Sequence, residues 1–334
     1  MLKEIEIQNF RCFEHIKISG FERVNLIGGK NNAGKTALLE ALFLNVAPQA
    51  SSLAILKKLR REPVKAIEVM PDRAWDNLFY ALKKDKFIVI IGTDNDNNTD
   101  RLEIKVKINS FKSNIICEFM RNDDVFTWSS TKVGAGGLIN YRISIDEAPI
   151  IPSFVRTSGK ELTKAYDRAR LDDKDSEVLK AFQVIDPAIE SVESFSIGEP
   201  TLYLRRKGEK RLPLSLFGDA MNRVADIILK LVNSEHKILL IDEIENGIHY
   251  TNQRNFWKFL FRLAVELDTQ IFATTHSLEM LQAFADVGLE PNQECTSAYF
   301  ELAIKLKTNQ IIGSRLDLET LNYALEHQEG VRGE

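Results

Sequence analysis

The chain has 334 residues, 44% of them hydrophobic and 28% charged, so it can bury a large core and is expected to divide into two or more lobes. A formal net charge of -4 excludes an overall electrostatic attraction to nucleic acid, so any such contact would need a local basic patch. The three cysteines lack metal-ligand spacing, and no run approaches the roughly 18 apolar residues of a membrane helix. We therefore expect a cytoplasmic protein that does not span a membrane.

Residues 2–28 predict strands, because Ile5 and Ile7 share one face and the runs "HIKIS" and "RVNLI" follow. The segment "GGKNNAGKT" then fits the pattern GxxxxGK[ST], in which backbone N–H groups surround a phosphate and the next helix points its positive N-terminus at it. Apolar residues at helical spacing follow this loop, as the chemistry requires. The sequence therefore predicts a nucleoside triphosphate site formed by Gly29, Asn31, Asn32, Ala33, Gly34, Lys35, Thr36 and Ala37.

Helical patterns and strand-like runs follow the phosphate loop. Residues 52–83 are helical in pattern, and their basic cluster could contact phosphates but is more typical of a solvated helix face. Residues 86–132 hold three strand-like runs, which predict a small antiparallel lobe. Within them, residues 94–100 lack the glycine and the glutamate of a calcium loop and are interpreted as a hairpin turn. The basic cluster consists of Lys57, Lys58, Arg60 and Arg61.

The next segments predict a boundary, helices and a basic hairpin. Residues 133–140 are the most loop-like stretch and indicate a lobe boundary. Helical segments from about residue 160 to residue 193 precede an alternating hairpin in "TLYLRRKGEKRLPLSL", whose turn is the better of the two basic patches, unless it is merely solvated. The basic residues of this turn are Arg205, Arg206, Lys207, Lys210 and Arg211.

A second chemical motif begins with four aliphatic residues, Ile238–Ile241, which are followed by Asp242 and Glu243. The run predicts a central parallel strand, and its C-terminal tip is where open α/β sheets place ligands. There Asp242 can hold Mg²⁺ together with the Thr36 hydroxyl, and Glu243 can polarise the attacking water. Solvated or helix-capping acids are the alternative, but two acids directly after a buried-type strand favour the metal site.

Two further sites have weaker patterns. The strand "QIFATTH" ends at His276, and its tip position favours a hydrogen bond to the γ-phosphate over a structural histidine. Ser215 and Gly218 lie just before an amphipathic helix, where they would form either a cap or a second anion site.

The order of these segments resembles one family. The segments "IEIQNFRCF", "GGKNNAGKT", the serine and glycine before a helix, "LLIDEIENGIH" and "ATTHS" resemble the ABC-type ATPases of the RecF, SMC and OLD group, and the last two are most similar to OLD-like ATPases. The resemblance covers roughly residues 1–46 and 212–280. The signature segment departs from the glycine-rich LSGGQ form, since it is "SLFGDAM", and no glutamine can be assigned after the first helix.

The resemblance implies an α/β fold, an ABC-type P-loop ATPase head with a mixed sheet flanked by helices, an antiparallel β lobe and an inserted helical lobe. We expect the head to combine residues 1–50 and 212–334. Residues 51–132 would add helices and the β lobe, and residues 133–211 the helical lobe and the hairpin.

The resemblance also implies a head-to-head homodimer that encloses two ATP molecules with Mg²⁺. Each ATP would lie between one phosphate loop and the signature segment of the other chain. The implied roles are phosphate binding for Lys35, Mg²⁺ binding for Thr36 and Asp242, catalytic base for Glu243, γ-phosphate contact for His276, contact across the dimer for Ser215 and Gly218, and a place near the nucleotide for Arg11.

The absence of heptads between Thr36 and Ser215 excludes the coiled-coil arms of SMC proteins, and no metal-nuclease pattern follows His276. The sequence thus resembles a stand-alone OLD-like ATPase of two-gene antiphage systems such as PARIS. We expect it to control a separate effector, a nuclease or toxin. The alternative is a RecF-like, ATP-gated clamp that binds DNA in repair, and the acidic charge balance favours the effector hypothesis.

Overall fold

The computed structural model of the protein describes residues 1–62, 73–109, 114–122, 124–130, 148–154 and 157–327. The strands, in chain order, are β1 (Leu2–Phe10), β2 (Phe13–Ser19), β3 (Val24–Gly29), β4 (Ile88–Asp94), β5 (Thr99–Asn109), β6 (Asn114–Arg121), β7 (Asp124–Ser130), β8 (Ile150–Ile151), β9 (Ile189–Phe195), β10 (Thr201–Arg206), β11 (Leu212–Pro213), β12 (Ile238–Ile241), β13 (Gln270–Thr274), β14 (Ser297–Ile304) and β15 (Ile311–Leu316). The α-helices are α1 (Lys35–Val46), α2 (Ala50–Leu59), α3 (Gly159–Leu171), α4 (Asp175–Ile185), α5 (Gly218–Val232), α6 (Tyr250–Glu266), α7 (Leu278–Gly288) and α8 (Leu318–Glu326).

A six-stranded sheet with the strand order β15-β14-β3-β13-β12-β8 forms the centre of the molecule. All its neighbouring strands are parallel except β14 and β15. The aliphatic run of β12 is buried on both faces, because Leu239 and Ile241 pack in one apolar cluster and Leu240 packs in the other. A parallel strand that is covered on both faces has a continuous run of apolar residues in its sequence. The prediction of a buried parallel strand at this position is therefore confirmed.

A second six-stranded sheet is antiparallel, with the order β2-β1-β4-β5-β6-β7. β4 pairs directly with β1, so the strands from residue 86 onward extend the N-terminal sheet instead of forming a sheet of their own. The hairpin predicted at residues 94–100 joins β4 and β5. In its turn, Asp94 Oδ1 accepts hydrogen bonds from the backbone N–H groups of Asp96 and Asn98, at 2.8 and 2.9 Å, which is how a short acidic side chain closes a tight turn.

The prediction of helical structure up to about residue 193 is wrong for its last residues. α4 stops at Ile185, and residues 189–195 are strand β9, which pairs antiparallel with β10. The physical reason is the Asp186-Pro187 pair, because a residue that precedes proline is pushed out of the helical conformation. Ile189 and Val192 are buried in the same apolar cluster as side chains of the helices, and this packing holds β9 against them.

The basic turn after β10 is partly neutralised by ion pairs. Arg205 lies 3.6 Å from Glu190, Arg206 lies 2.5 Å from Asp186, and Arg211 lies 2.8 Å from Glu193. These acidic partners lower the positive potential that the sequence pattern suggests.

Among the described residues, no helix is both long and apolar enough to cross a membrane. The loop-like stretch at residues 133–140 lies outside the described residues, so the boundary predicted there remains a prediction.

Candidate active site

Three strand ends bring the predicted site together. β13 lies between β3 and β12 and is parallel to both, so the carboxyl ends of all three strands meet at one edge of the central sheet. The phosphate loop follows β3, Asp242 and Glu243 follow β12, and His276 lies two residues after β13. This common edge is where parallel α/β sheets place ligands.

The phosphate loop has the backbone that its sequence requires. Gly29, Asn32 and Gly34 have positive φ angles of 127°, 65° and 95°. A Cβ atom at Gly29 would lie 2.2 Å from the backbone oxygen of Leu302, so β14 leaves room there for glycine alone. α1 starts at Lys35, directly after this loop, and its N-terminal N–H groups therefore face the same space as the loop.

Lys35 lies folded back across the loop. Its Nζ donates hydrogen bonds to the backbone oxygens of Gly29, at 2.6 Å, and Lys30, at 2.9 Å. Burial lowers the pKa of the Lys35 ammonium, while the negative charges of Asp242, Glu245 and Glu243 act in the opposite direction. The amine therefore stands at the loop, where an anionic ligand would replace two carbonyl partners with phosphate oxygens.

Asp242 and Thr36 form a compact set of oxygen donors. The Thr36 hydroxyl lies 3.3 Å from Asp242 Oδ1, and the hydroxyl of Thr274 donates to the same oxygen at 2.7 Å. Burial raises the pKa of the Asp242 carboxyl, and the Thr274 hydrogen bond opposes this effect. A carboxylate and a hydroxyl fit Mg²⁺, which binds few protein oxygens and keeps its other positions for water and substrate phosphates.

The side chains of Glu243 and His276 lie close to each other, beside the oxygen donors Asp242 and Thr36. Glu243 Oε1 lies 3.7 Å from His276 Nε2, and Glu243 Oε2 accepts a hydrogen bond from Asn246 Nδ2 at 2.9 Å. Glu243 has a φ of 49°, a left-handed conformation that costs a residue with a side chain about 1–2 kcal/mol. Thr274 contributes here too, because its hydroxyl accepts the backbone N–H of Glu243 at 2.9 Å.

The cleft beside the phosphate loop has a volume of about 790 Å³. Its lining residues are Arg11, Cys12, Asn31, Asn32, Gly34, Lys35, Thr36, Ala37, Arg60, Glu62, Asn77 and His276. Ala33, by contrast, is a buried residue of the loop and offers at most its backbone. The structure thus places Arg11 and His276 in the same cleft as most of the predicted loop residues.

Glu40 and Arg60 belong to the cleft region, although the sequence patterns assigned neither residue to it. Glu40, on α1, is fully buried and pairs with the guanidinium groups of both Arg11, at 2.9 Å, and Arg60, at 2.7 Å. The prediction that the basic cluster is a solvated helix face is wrong for Lys57, which is buried. Arg60 is exposed, as that prediction requires, but it also lines the cleft. An acid inside the apolar run "ALLEALFLNV" was the available signal, because a buried charge needs partners.

Ser215 and Gly218 are not brought to this cleft. Ser215 is exposed in a single 3₁₀ turn, Leu214–Phe217, and Gly218 begins α5 with a φ of 84°. Neither residue lines the cleft of its own chain.

Arg223 is a further residue that the sequence did not single out. It lies on α5, is 7% exposed, and donates hydrogen bonds to backbone oxygens at the tip of β12. Its place one and a half turns into an amphipathic helix was the only signal, because arginine seldom occupies the buried face of such a helix.

Likeness to solved structures supports the fold. The structure matches a crystal structure of the SmcHead bound to the C-winged helix domain of ScpA with a TM-score of 0.56 and 11% identity, over 95% of this chain and 98% of that chain. It also matches an Smc head domain with an extended coiled coil from Pyrococcus furiosus, with a TM-score of 0.54 and 12% identity, over 98% and 99% of the two chains. The predicted ABC-type P-loop head is thereby confirmed.

Likeness in sequence extends over the whole chain. The chain is 25% identical to an "ATP/GTP phosphatase" of Helicobacter pylori across 100% of both proteins. A shorter match, 42% identical over 43 residues, is to the "DNA replication and repair protein RecF" of Bacillus mycoides, and it covers 13% of this chain and 12% of that protein. Residues 24–281, which run from β3 through the segment after His276, match the protein family described as "AAA domain, putative AbiEii toxin, Type IV TA system". The chain belongs to this family and is an ATPase of the ABC type.

Proposed function

We propose that the protein dimerises around ATP and that hydrolysis of this ATP switches a separate effector in antiphage defence. The exposed position of Ser215 and Gly218 carries the dimer proposal, because both lie outside the cleft of their own chain and are open to another molecule. Leu216, between them, is 68% exposed, so this turn also offers an apolar contact. A second copy of the chain would bring the turn against the open side of the first copy's cleft.

Within this proposal, each residue at the edge of the central sheet has a separate role in ATP binding or hydrolysis. Lys35 binds the β- and γ-phosphates, while Thr36 and Asp242 hold Mg²⁺, which would neutralise charge that develops on the phosphate oxygens. Glu243 accepts the proton of the attacking water, and His276 donates a hydrogen bond to the γ-phosphate. The Glu243 carboxylate is suited to this role, because Asn246 fixes one of its oxygens and the other faces His276.

Mixing two defective variants tests whether the site is shared between chains. Lys35→Ala disables the phosphate loop, and Ser215→Arg places a bulky cation on the exposed turn. Each variant alone should hydrolyse ATP poorly. In a mixed dimer, one site combines the intact loop of one chain with the intact turn of the other, so the mixture should regain hydrolysis.

Leu306→Arg is the matched control for this mixing experiment, because Leu306 is 97% exposed, lies between β14 and β15 instead of in the Leu214–Phe217 turn, and does not line the cleft. It should retain activity alone and should not need a partner variant. If the mixture of Lys35→Ala and Ser215→Arg stays as inactive as its components, the shared site is contradicted.

Two lines of support favour an effector as the target of the switch. ATP hydrolysis does useful work only if the nucleotide-bound and released states present different surfaces to another molecule. The family description names a toxin–antitoxin system, that is, a system of two components, which is consistent with a separately encoded partner. The candidate surface for this partner lies within residues 52–211, which include the extended antiparallel strands and contribute few residues to the cleft.

Cells that carry the gene together with its neighbouring effector gene are expected to resist phage, and the two proteins should purify together. Lys35→Ala and Glu243→Gln should abolish this protection while the protein remains folded, because both interrupt the nucleotide cycle. Plaque counts on cells with wild-type and variant gene pairs measure the effect. If both variants protect as well as the wild type, the defence proposal fails.

A RecF-like DNA clamp is the second candidate, and the matching stretch of RecF is the observation that favours it. The ion pairs of the basic turn count against it, since phosphate contacts would have to compete with Glu190, Asp186 and Glu193. ATP-dependent binding to duplex DNA that weakens steeply with salt would make the clamp the preferred function.

A further inference from the structure

Arg223 connects two parts of the site that are far apart in the sequence. It lies on α5, five residues after Gly218, and its guanidinium is buried beneath the tip of β12. Nη1 donates to the backbone oxygen of Pro152 at 2.8 Å. Nη2 donates to the backbone oxygens of Asp242, at 2.6 Å, and Glu243, at 3.4 Å. One side chain thus holds the end of β8 and the turn that carries both acids.

The turn that Arg223 holds is strained. Glu243 adopts a φ of 49°, which a residue with a Cβ seldom takes without external constraint. Its N–H is fixed by Thr274 and its C=O lies near the Arg223 guanidinium, so contacts on both sides of the residue maintain the conformation. Loss of one contact would let the backbone relax and would turn the Glu243 carboxylate away from its present direction.

A second contact joins the same two segments. A Cβ atom placed on Gly247, whose φ is 80°, would lie 3.2 Å from the backbone of both Asp219 and Ala220. The first turn of α5 therefore packs directly on the turn that follows Glu243. Any shift of this first turn must move the acidic turn as well, because close-packed backbone transmits displacement.

A guanidinium is suited to this position and an ammonium is not. The two terminal nitrogens of Arg223 point to carbonyl groups on two different segments, and a planar fork can span them. A lysine ammonium is a single point on a flexible stem and would reach one segment at a time. The desolvation of this buried charge is a cost that the contacts to the strand tips offset.

We propose that Arg223 is a positioning residue for Glu243 and couples the exposed turn at Ser215 and Gly218 to the base of the same chain. Contact of that turn with a nucleotide held by a second copy moves the start of α5, and Arg223 passes this movement to the backbone of Glu243. The two nucleotide sites of a dimer thereby influence each other. This inference rests on the proposed dimer and on the proposed role of Glu243 as the base.

Arg223→Lys tests the coupling, because it keeps the charge and removes the fork. We expect kcat for ATP hydrolysis to fall roughly ten- to a hundredfold, as expected for a misplaced catalytic group, while the Kd for Mg-ATP remains unchanged. Gly247→Ala pushes the same two segments apart and leaves Arg223 in place. It should likewise lower kcat and leave the Kd for Mg-ATP unchanged. It therefore keeps the inference testable if Arg223→Lys does not fold.

Lys230→Gln is the matched control. Lys230 lies on the same helix and also donates to backbone oxygens, but these belong to Ala148, just before β8, and Ile150, in β8, and not to the acidic turn. It should lose stability without a matching fall in kcat. Wild-type kcat in Arg223→Lys, or an equal fall in kcat in Lys230→Gln, would overturn the coupling. Wild-type hydrolysis by Glu243→Gln would overturn the assignment of the base, and this inference with it.

Discussion

Replacing Lys35 with alanine is expected to weaken ATP binding strongly while the protein remains folded. The ammonium lies at the phosphate loop, where its present partners are two backbone oxygens that phosphate oxygens can replace. A hydrogen bond from a cation to an anionic ligand contributes about 1.5–3 kcal/mol, so the affinity should fall roughly tenfold to more than a hundredfold. Burial of the amine lowers its pKa and disfavours its charged form in the free protein, so alanine should cost little stability.

Isothermal titration with Mg-ATP measures this loss, and the unfolding curve of the variant shows whether it is folded. Lys160→Ala is a suitable control, because Lys160 is exposed on α3 and lies away from the cleft. Its affinity for ATP should equal that of the wild type. Wild-type affinity in a folded Lys35→Ala protein would contradict the assignment of the phosphate site.

Glu243→Gln is expected to keep ATP binding and to slow hydrolysis by roughly 10²–10⁴-fold, which is the usual contribution of a general base. Glutamine has the shape of glutamate, and its amide oxygen can still accept the hydrogen bond from Asn246. It cannot take a proton from water near neutral pH. Single-turnover hydrolysis of radiolabelled ATP separates this effect on the chemical step from any effect on binding.

Glu245→Gln provides the comparison for the base. Glu245 is an acid of the same turn, but its Oε1 is occupied by the backbone N–H of His276 at 2.7 Å. We expect a much smaller loss of hydrolysis from this variant. If both variants lose the same amount of hydrolysis, the negative charge of the turn is what hydrolysis requires. Proton transfer to Glu243 would then not be the cause of the loss.

Local sequence patterns predicted the parts of the site that each depend on one segment. The glycines of the phosphate loop, the aliphatic run before Asp242 and the strand before His276 all have the structure that their patterns indicate. These patterns are informative because the phosphate loop needs positive φ angles and a buried parallel strand needs apolar residues on both faces. The meeting of the three segments followed from the parallel arrangement of their strands.

Contacts between distant segments could not be read from local patterns. Arg60 looked like part of a solvated basic face, and only the folded chain shows that the buried Glu40 draws it into the cleft wall. Arg223 lies in a helix whose spacing predicts an apolar buried face, but the carbonyl groups to which it donates belong to the residues that directly follow β8 and β12. The β9 strand was missed for a local reason, because the helical pattern before Asp186 was extended past a proline.

The association state of Glu243→Gln with ATP tests the central claim most directly, because a site shared by two chains must hold them together until hydrolysis occurs. In sedimentation velocity, the variant should have the mass of one chain with ADP and twice that mass with Mg-ATP. Addition of Ser215→Arg to the same chain should abolish the doubling, because it blocks the exposed turn. A Glu243→Gln protein that binds ATP but retains the mass of one chain at saturating nucleotide would contradict the shared site.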